Sequence, residues 1–460
     1  MNLKNPTIKI DRQFWNRLYI LYYLLIGIAM FFLMRPNATI PLSVRMALLG
    51  LILMPVCFRR ETLPFAMLCF YGISSNSFLN VLPTSHLYYL FIVLAFYVVY
   101  RNKSRSFVYA LFFYVYFLAC CIVQDDMQKY LIWWIVSLVL YDYVKDVLDV
   151  RNLLYAFMII SIFLSALFLL YQEDFIEAYG NAEEGLERSS WINANVFGAT
   201  IAAGAILSVA YLTNVLQLPK SKVLFVLSII TVALSFVVLI LNASRGAFFA
   251  FIIPGVMMMF LSKMNTIYKI LIAVVAIFAV YWLYNNTDVF ELLITRMEDD
   301  TLDSGGNRTD IWKEKLESFF WDNNFWHRIV GIGRNDCIEL RNQLSTHNDF
   351  LTAFIGYGVI GLILFTLVFF LPIIKAKKGM RFSVALLMLY LLIECFVLEP
   401  LFRGYFVEIM FYFFVLKYAL LVEKEQPADS KEKAKKRRFR LFTKPRFKLR
   451  MNGRDSRTCQ

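Results

Sequence analysis

His347 stands in Ser345-Thr346-His347-Asn348-Asp349, immediately before an apolar run. Imidazole is the side chain whose ordinary pKa permits proton transfer near neutrality, so His347 is the candidate general base. Thr346 followed three residues later by Asp349 has the form of a capping box, which predicts a helix starting there with His347 in its first turn. A helix N-terminus disfavours imidazolium, so the ring is expected to be neutral and able to accept a proton.

Three arginines share an uncommon setting. Arg188 lies in Glu187-Arg188-Ser189-Ser190-Trp191-Ile192-Asn193-Ala194-Asn195, directly before an apolar run. Arg245, in Asn242-Ala243-Ser244-Arg245-Gly246, sits in a turn so tight that two apolar runs nearly abut. Arg308 falls in Gly305-Gly306-Asn307-Arg308-Thr309-Asp310-Ile311-Trp312. An arginine at mid-bilayer costs about 2.5–3.5 kcal/mol on insertion scales and less near the interface. Its planar fork suits phosphate oxygens. Snorkelling to the interface accounts for any one of them alone. The set of three points to a diphosphate carried by a lipid. Arg45 and Arg403 lie near the same face with weaker claims. Asn195, Ser244, Asn348, Asp349 and Glu399 are the candidate supporting groups, and Asp349 or Glu399 is expected to orient a partner.

The elements that must position these residues are apolar helices. Of 460 residues, 59% are hydrophobic and 18% charged, against about 45–50% and about 25% in soluble domains. The apolar excess sits in runs long enough to cross a hydrocarbon core about 30 Å thick. This excludes a soluble enzyme, a fibrous protein and a disordered chain. Fourteen spans are predicted, at about 16–33, 40–58, 63–79, 84–100, 106–123, 128–144, 152–171, 195–216, 223–243, 245–262, 267–284, 349–374, 383–398 and 404–422. The predicted fold is an all-α polytopic membrane protein with a membrane domain over 1–422 and a tail over 423–460.

Charge orients it. Alternate short loops carry fifteen Lys or Arg, from Arg59 and Arg60 to Arg381, whereas loop 172–194 carries six acids. By the positive-inside rule both termini are cytoplasmic, and the first span is expected to be an uncleaved anchor. The net charge of +13 is concentrated in the tail, whose 14 Lys/Arg and 5 Asp/Glu suit cytoplasmic placement or anionic head groups rather than nucleic acid. Loops 172–194 and 285–348 then face outward. Within the second, Trp312, Leu316, Phe319 and Phe320 recur at helical spacing and predict a short amphipathic helix.

Other signals carry less. Gly356-Tyr357-Gly358-Val359-Ile360-Gly361 matches a dinucleotide fingerprint in letters, but inside an apolar run it predicts close helix packing. Asp125-Asp126 reads as a solvated loop tip, His86 as structural and His327 as a loop residue. The seven cysteines show no metal-type spacing and no disulfide framework. No metal or cofactor is expected.

Ser244-Arg245-Gly246-Ala247, Gly306-Asn307-Arg308-Thr309-Asp310-Ile311-Trp312, Gly331-Ile332-Gly333 and His347-Asn348-Asp349-Phe350-Leu351 running into Gly356, Gly358 and Gly361 stand in this order. Together they resemble the bacterial O-antigen ligase and O-antigen polymerase superfamily over about 186–362. One departure is Ala194, where the family pattern has proline before Asn195. The resemblance implies an inner-membrane glycosyltransferase with its site facing the periplasm. It would move an oligosaccharide or polysaccharide from an undecaprenyl diphosphate carrier to an acceptor hydroxyl, without nucleotide sugar or metal. By position, His347 would be the base, and Arg188, Arg245 and Arg308 would bind the diphosphate. Polymerases and ligases share these motifs and differ in acceptor, a carrier-linked glycan or lipid A–core. Polymerisation of surface polysaccharide, O-antigen or capsule, is the broader role and the expected one. A lipid-linked oligosaccharide flippase is the rival from another class. It would place charges deep within the spans, but runs 152–284 hold almost none.

Overall fold

The computed structural model describes residues 12–33, 41–74, 115–117, 119–120, 129–171, 194–242, 244–262, 265–286, 308–340 and 346–421. Its helices are α1 (Arg12–Leu33), α2 (Leu42–Phe58), α3 (Leu63–Ser74), α4 (Lys129–Tyr143), α5 (Val147–Leu170), α6 (Ala194–Leu212), α7 (Lys222–Leu241), α8 (Arg245–Leu261) and α9 (Thr266–Asn286). They continue as α10 (Arg308–Asp322), α11 (Phe325–Val330), α12 (Arg334–Glu339), α13 (Asp349–Lys375), α14 (Arg381–Val397), α15 (Pro400–Arg403) and α16 (Phe406–Leu421). Helices α1–α9, α13, α14 and α16 fall on predicted apolar runs, with ends displaced by a few residues. Run 84–100 and most of 106–123 lie outside the described residues, as do Arg188, His86, Asp125-Asp126 and the tail.

Among the described residues, Val147–Leu170, Asn195–Leu212, Lys222–Leu241 and Asp349–Lys375 are long and apolar enough to cross a membrane. The described residues form helices and no strand, consistent with an all-α membrane protein. Its centre is α6, flanked by α5, α7 and α8. Small residues let these backbones approach, the usual device where lipid removes the hydrophobic drive between helices. A Cβ on Gly204 would lie 2.6 Å from the Phe157 carbonyl oxygen and 2.0 Å from Ser161 Oγ. The Ser161 hydroxyl donates to the Ile201 carbonyl at 3.1 Å. At the periphery, α9 exposes Ile267, Ile270, Val274, Ile277 and Phe278, an apolar edge suited to lipid.

The run predicted as one span over 349–374 is broken. Gly358 adopts φ 68°, ψ −172° inside α13, and this kink is where residues 331–333 dock. The Ile332 and Gly333 amides donate to the Ile355 and Gly356 carbonyls at 3.1 and 2.9 Å. The Tyr116 hydroxyl donates to the Tyr357 carbonyl at 2.8 Å. Three consecutive carbonyls at the break are thereby satisfied, which interrupted helices within membranes require. Of the glycine pattern 356–361, Gly358 packs closely against helix α11, as close helix packing predicts, and Gly356 meets the docked segment 331–333 instead. An extended segment reaches backbone groups that a helix face keeps to itself.

Two glycines have no alternative. Gly331 has φ 85°, and a Cβ there would lie 2.2 Å from the Gly356 oxygen; at Gly358 it would lie 2.1 Å from the Ile329 oxygen. Both contacts are backbone and cannot swing aside. Gly358→Ala is expected to cost about 1–3 kcal/mol from backbone strain alone, and more from the clash. Gly255→Ala, whose new methyl meets only Ile206 Cδ1 at 3.8 Å, should be neutral or stabilising. Thermal unfolding in detergent compares them, and equal melting temperatures would contradict the docking.

Candidate functional site

The helix after His347 starts later than predicted. Asn348, not Thr346, is the N-cap of α13, its Oδ1 accepting from the Leu351 amide at 3.1 Å. Asparagine is the stronger cap, and Thr346 is engaged elsewhere. Its buried hydroxyl lies 2.5 Å from that of Thr352, and the Thr346 carbonyl accepts from Trp312 Nε1 at 2.6 Å. His347 thus precedes the helix, with a left-handed φ of 51° that few non-glycine residues adopt. The first turn of α13 does not contain it.

Asp349 takes no part in a capping box. Its buried carboxylate accepts from the Leu401 and Phe402 amides at 3.1 and 2.9 Å. These are orphan donors at the start of α15, so Asp349 caps a turn fifty residues onward. The Trp134 indole holds the Leu401 carbonyl of the same turn at 3.2 Å. What this turn presents is Arg403, whose Nη2 lies 3.5 Å from His347 Nδ1. Glu399, itself left-handed at φ 61°, is the fixed anion beside it. Its carboxylate lies 3.7 Å from Arg403 Nε and 3.8 Å from Arg334 Nε, and accepts from the Thr352 hydroxyl at 2.7 Å. Asp349 and Glu399 therefore both act on Arg403, and Arg403 touches the histidine.

Arg245 opens α8 and Arg308 opens α10. The Ser244 hydroxyl donates to Asn195 Oδ1 at 3.0 Å, tying the start of α8 to the start of α6. A Cβ on Gly246 would lie 2.2 Å from Val397 Cγ1, so the turn carrying Arg245 is pressed against the end of α14, just before Glu399. The amphipathic helix predicted in the outer loop is α10. Phe319 is fully buried against Phe354 at 5.3 Å between centroids, and Trp312 reaches the carbonyl beside His347. Lys315, buried on the same helix, donates to the Cys337, Ile338 and Leu340 carbonyls at 2.6, 3.2 and 3.2 Å. It neutralises the C-terminal end of α12, whose first residue is Arg334.

The cluster is strongly cationic. Burial and the nearby charges of Arg245 and Arg403 lower the Arg308 pKa, with Glu394 opposing. Burial first, then Arg403 and Arg308, pushes His347 down to about 4. The ring is neutral, as the sequence predicts, but burial and guanidinium charge cause it, because His347 is outside the helix. Sequence reasoning missed Arg334, although it follows Gly331-Ile332-Gly333 directly; the glycines there signalled close approach without saying to what. Arg45, Arg188 and the segment before Asn195 cannot be added, since the side chain of the first and the whole of the others lie outside the described residues. Among the described residues, no three His, Cys, Asp or Glu side chains gather to hold a metal.

Removing a neighbouring cation favours imidazolium. Arg403→Gln should therefore raise the His347 midpoint from about 4 by about one pH unit or more. The chain has three histidines, so histidine-selective NMR resolves the titration; an unmoved midpoint would contradict the contact. An unfolded histidine binds its proton near 6.5 and the folded one near 4, so this contribution is present above about pH 6.5 and is lost as pH falls.

Residues 230–366 match the family model described as O-Antigen ligase. That interval begins within α7, contains Arg245, Arg308, Arg334, the docked glycines and His347, and stops within α13. Asn195, Glu399 and Arg403 lie beyond it. Among curated proteins, none matches the chain. Over that interval, which holds the centre of its site, the chain is similar to the O-antigen ligase family.

Proposed function

We propose that the protein transfers an oligosaccharide or polysaccharide from undecaprenyl diphosphate to an acceptor hydroxyl at the outer face of the bacterial inner membrane, polymerising surface polysaccharide. The observation that carries this reading is a neutral histidine beside Arg403 and near Arg308, with Arg245 next to Arg308 in the same cluster. Neutral histidine takes a proton; fixed cations take a departing diphosphate; apolar helices take an isoprenoid tail.

The acceptor oxygen attacks the anomeric carbon as the bond from that carbon to the diphosphate oxygen breaks. The hydroxyl proton passes to His347, and the diphosphate leaves with the electron pair. Guanidinium has no acceptor atom, so the Arg403 contact assigns the lone pair to His347 Nδ1. That nitrogen is the base, and at 3.5 Å its hold on Arg403 is loose. Arg403 then turns to the arriving diphosphate beside Arg245 and Arg308, freeing Nδ1 for the hydroxyl. General-base catalysis contributes about 10²–10⁴-fold, and preorganised cations act most strongly where water is excluded. Arg188 precedes α6 by a few residues and is assigned to the same diphosphate by position in the sequence alone. Asn195, Ser244 and Asn348 hold backbone in place.

The description of the matching family favours a second reading, in which the acceptor is a lipid A–core sugar. One assay separates them. Purified protein in nanodiscs is given a single carrier-linked oligosaccharide, and products are resolved on a gel. A ladder from that substrate alone is the expected result, reduced at least about 100-fold in His347→Ala and strongly reduced in Arg245→Ala. Transfer only after lipid A–core is added makes the protein a ligase. Transbilayer movement of labelled carrier without either product would overturn the enzyme reading in favour of a flippase.

A further inference from the structure

A cavity of about 760 Å³ lies at the end of α7 remote from Arg245, lined by Tyr211, Asn214, Leu218, Lys220, Lys222 and Phe225 among others. A helix of 20 residues separates it from the catalytic cluster by about 30 Å, so it is no part of that site. Loop 213–221, which forms its wall, is built beyond a connector's needs. Asn214 is left-handed at φ 57°. The Tyr418 hydroxyl donates to the Val215 carbonyl at 3.1 Å and accepts from the Gln217 amide at 3.0 Å. The Tyr211 hydroxyl accepts from the Ser221 amide at 2.8 Å, and the Tyr155 hydroxyl lies 3.3 Å from Ser221 Oγ. Tyrosines from α5, α6 and α16 thus hold one loop rigid and the cavity open.

The lining has two characters. Lys220 and Lys222 are exposed and make no ion pair among the described residues. Next to them Val223, Phe225, Val226, Ile229 and Ile230 form an exposed apolar stripe running up α7, a surface that in a membrane protein faces acyl chains. Lys220 lies in the loop and Lys222 opens α7, both on the basic side of the predicted topology. A ligand meeting these features has an anionic head and apolar tails, and fixed pockets of this volume are typical of small-molecule sites.

We propose that this cavity is a binding site for an anionic phospholipid, its phosphate between Lys220 and Lys222 and its acyl chains along Val226 and Ile229. The site is preformed, so binding needs no ordering of the loop. Basic residues near a membrane surface each strengthen binding of anionic lipid several-fold.

The test uses the full chain in detergent micelles, with native mass spectrometry counting bound lipid. Dioleoyl phosphatidylglycerol is the probe, and dioleoyl phosphatidylcholine and inorganic phosphate are the comparisons. One phosphatidylglycerol per chain is expected, retained over phosphatidylcholine, and weakened roughly 30-fold in the Lys220→Gln/Lys222→Gln double variant. Lys375→Gln/Lys377→Gln, on the same basic side, should leave it unchanged. Equal weakening in both double variants, or none in either, would overturn the proposal by showing diffuse attraction or no site. Displacement of the lipid by millimolar phosphate would overturn it too, making the cavity a phosphate site without a lipid.

Discussion

Like charges at an apolar boundary repel, and every other feature of this site follows from holding four of them, Arg245, Arg308, Arg334 and Arg403, together. Two unit charges 4 Å apart interact by about 4 kcal/mol at the effective dielectric of a protein surface. Arg403 and Arg334 are gathered by one anion, Glu399, at 3.7 and 3.8 Å. Buried carboxylates are costly unless partnered, and Glu399 has Thr352 as well as both arginines. Its left-handed backbone carries strain of about 1–3 kcal/mol, which is retained because the αL turn sets the carboxylate facing α13. Such strain collects at functional sites, as does that of His347, also in αL.

The anchor would fail without a rigid frame, and the frame is made of backbone contacts. Asp349 ties the first turn of α13 to α15, so the backbones that carry His347 and Arg403 are held together while the Arg403 guanidinium can still turn. Ile332 and Gly333 pair with carbonyls exposed by the break at Gly358, which brings Arg334 to Glu399. Trp312 reaches across to the carbonyl of Thr346. Helices α10 and α12, α13 and α15 are therefore one unit around the histidine, although they lie far apart in the chain. In the proposed mechanism a substrate arriving between them meets Arg245 and Arg308 already positioned and needs only Arg403 to turn, which keeps reorganisation at the moment of reaction small.

Much of this was legible in the sequence, for identifiable reasons. Charge-free runs mark helices wherever lipid forbids unsatisfied backbone, and twelve helices lie on such runs. His347, Arg245 and Arg308 stood out because polar groups are rare beside apolar runs, and the structure brings Arg308 within electrostatic reach of both Arg245 and His347. The helix start was misplaced because Thr346 and Asn348 are both competent caps; only the tertiary partners of Thr346 decide between them. Glu399 and Asp349 were named, but their common target, Arg403, depends on a contact fifty residues long. Arg334 was invisible because a glycine pair announces proximity without naming the neighbour. Gly356 was read as helix packing because period alone cannot distinguish a helix partner from an extended one.

The most direct measurement of the central claim is a structure of the protein in nanodiscs, by electron cryomicroscopy, with an undecaprenyl diphosphate-linked oligosaccharide that cannot be transferred. The diphosphate is predicted to sit among Arg245, Arg308 and Arg403, with the Arg403 guanidinium moved off His347 Nδ1 and that nitrogen facing the anomeric carbon. Diphosphate density away from these three guanidinium groups, with Arg403 still on His347, would contradict the account.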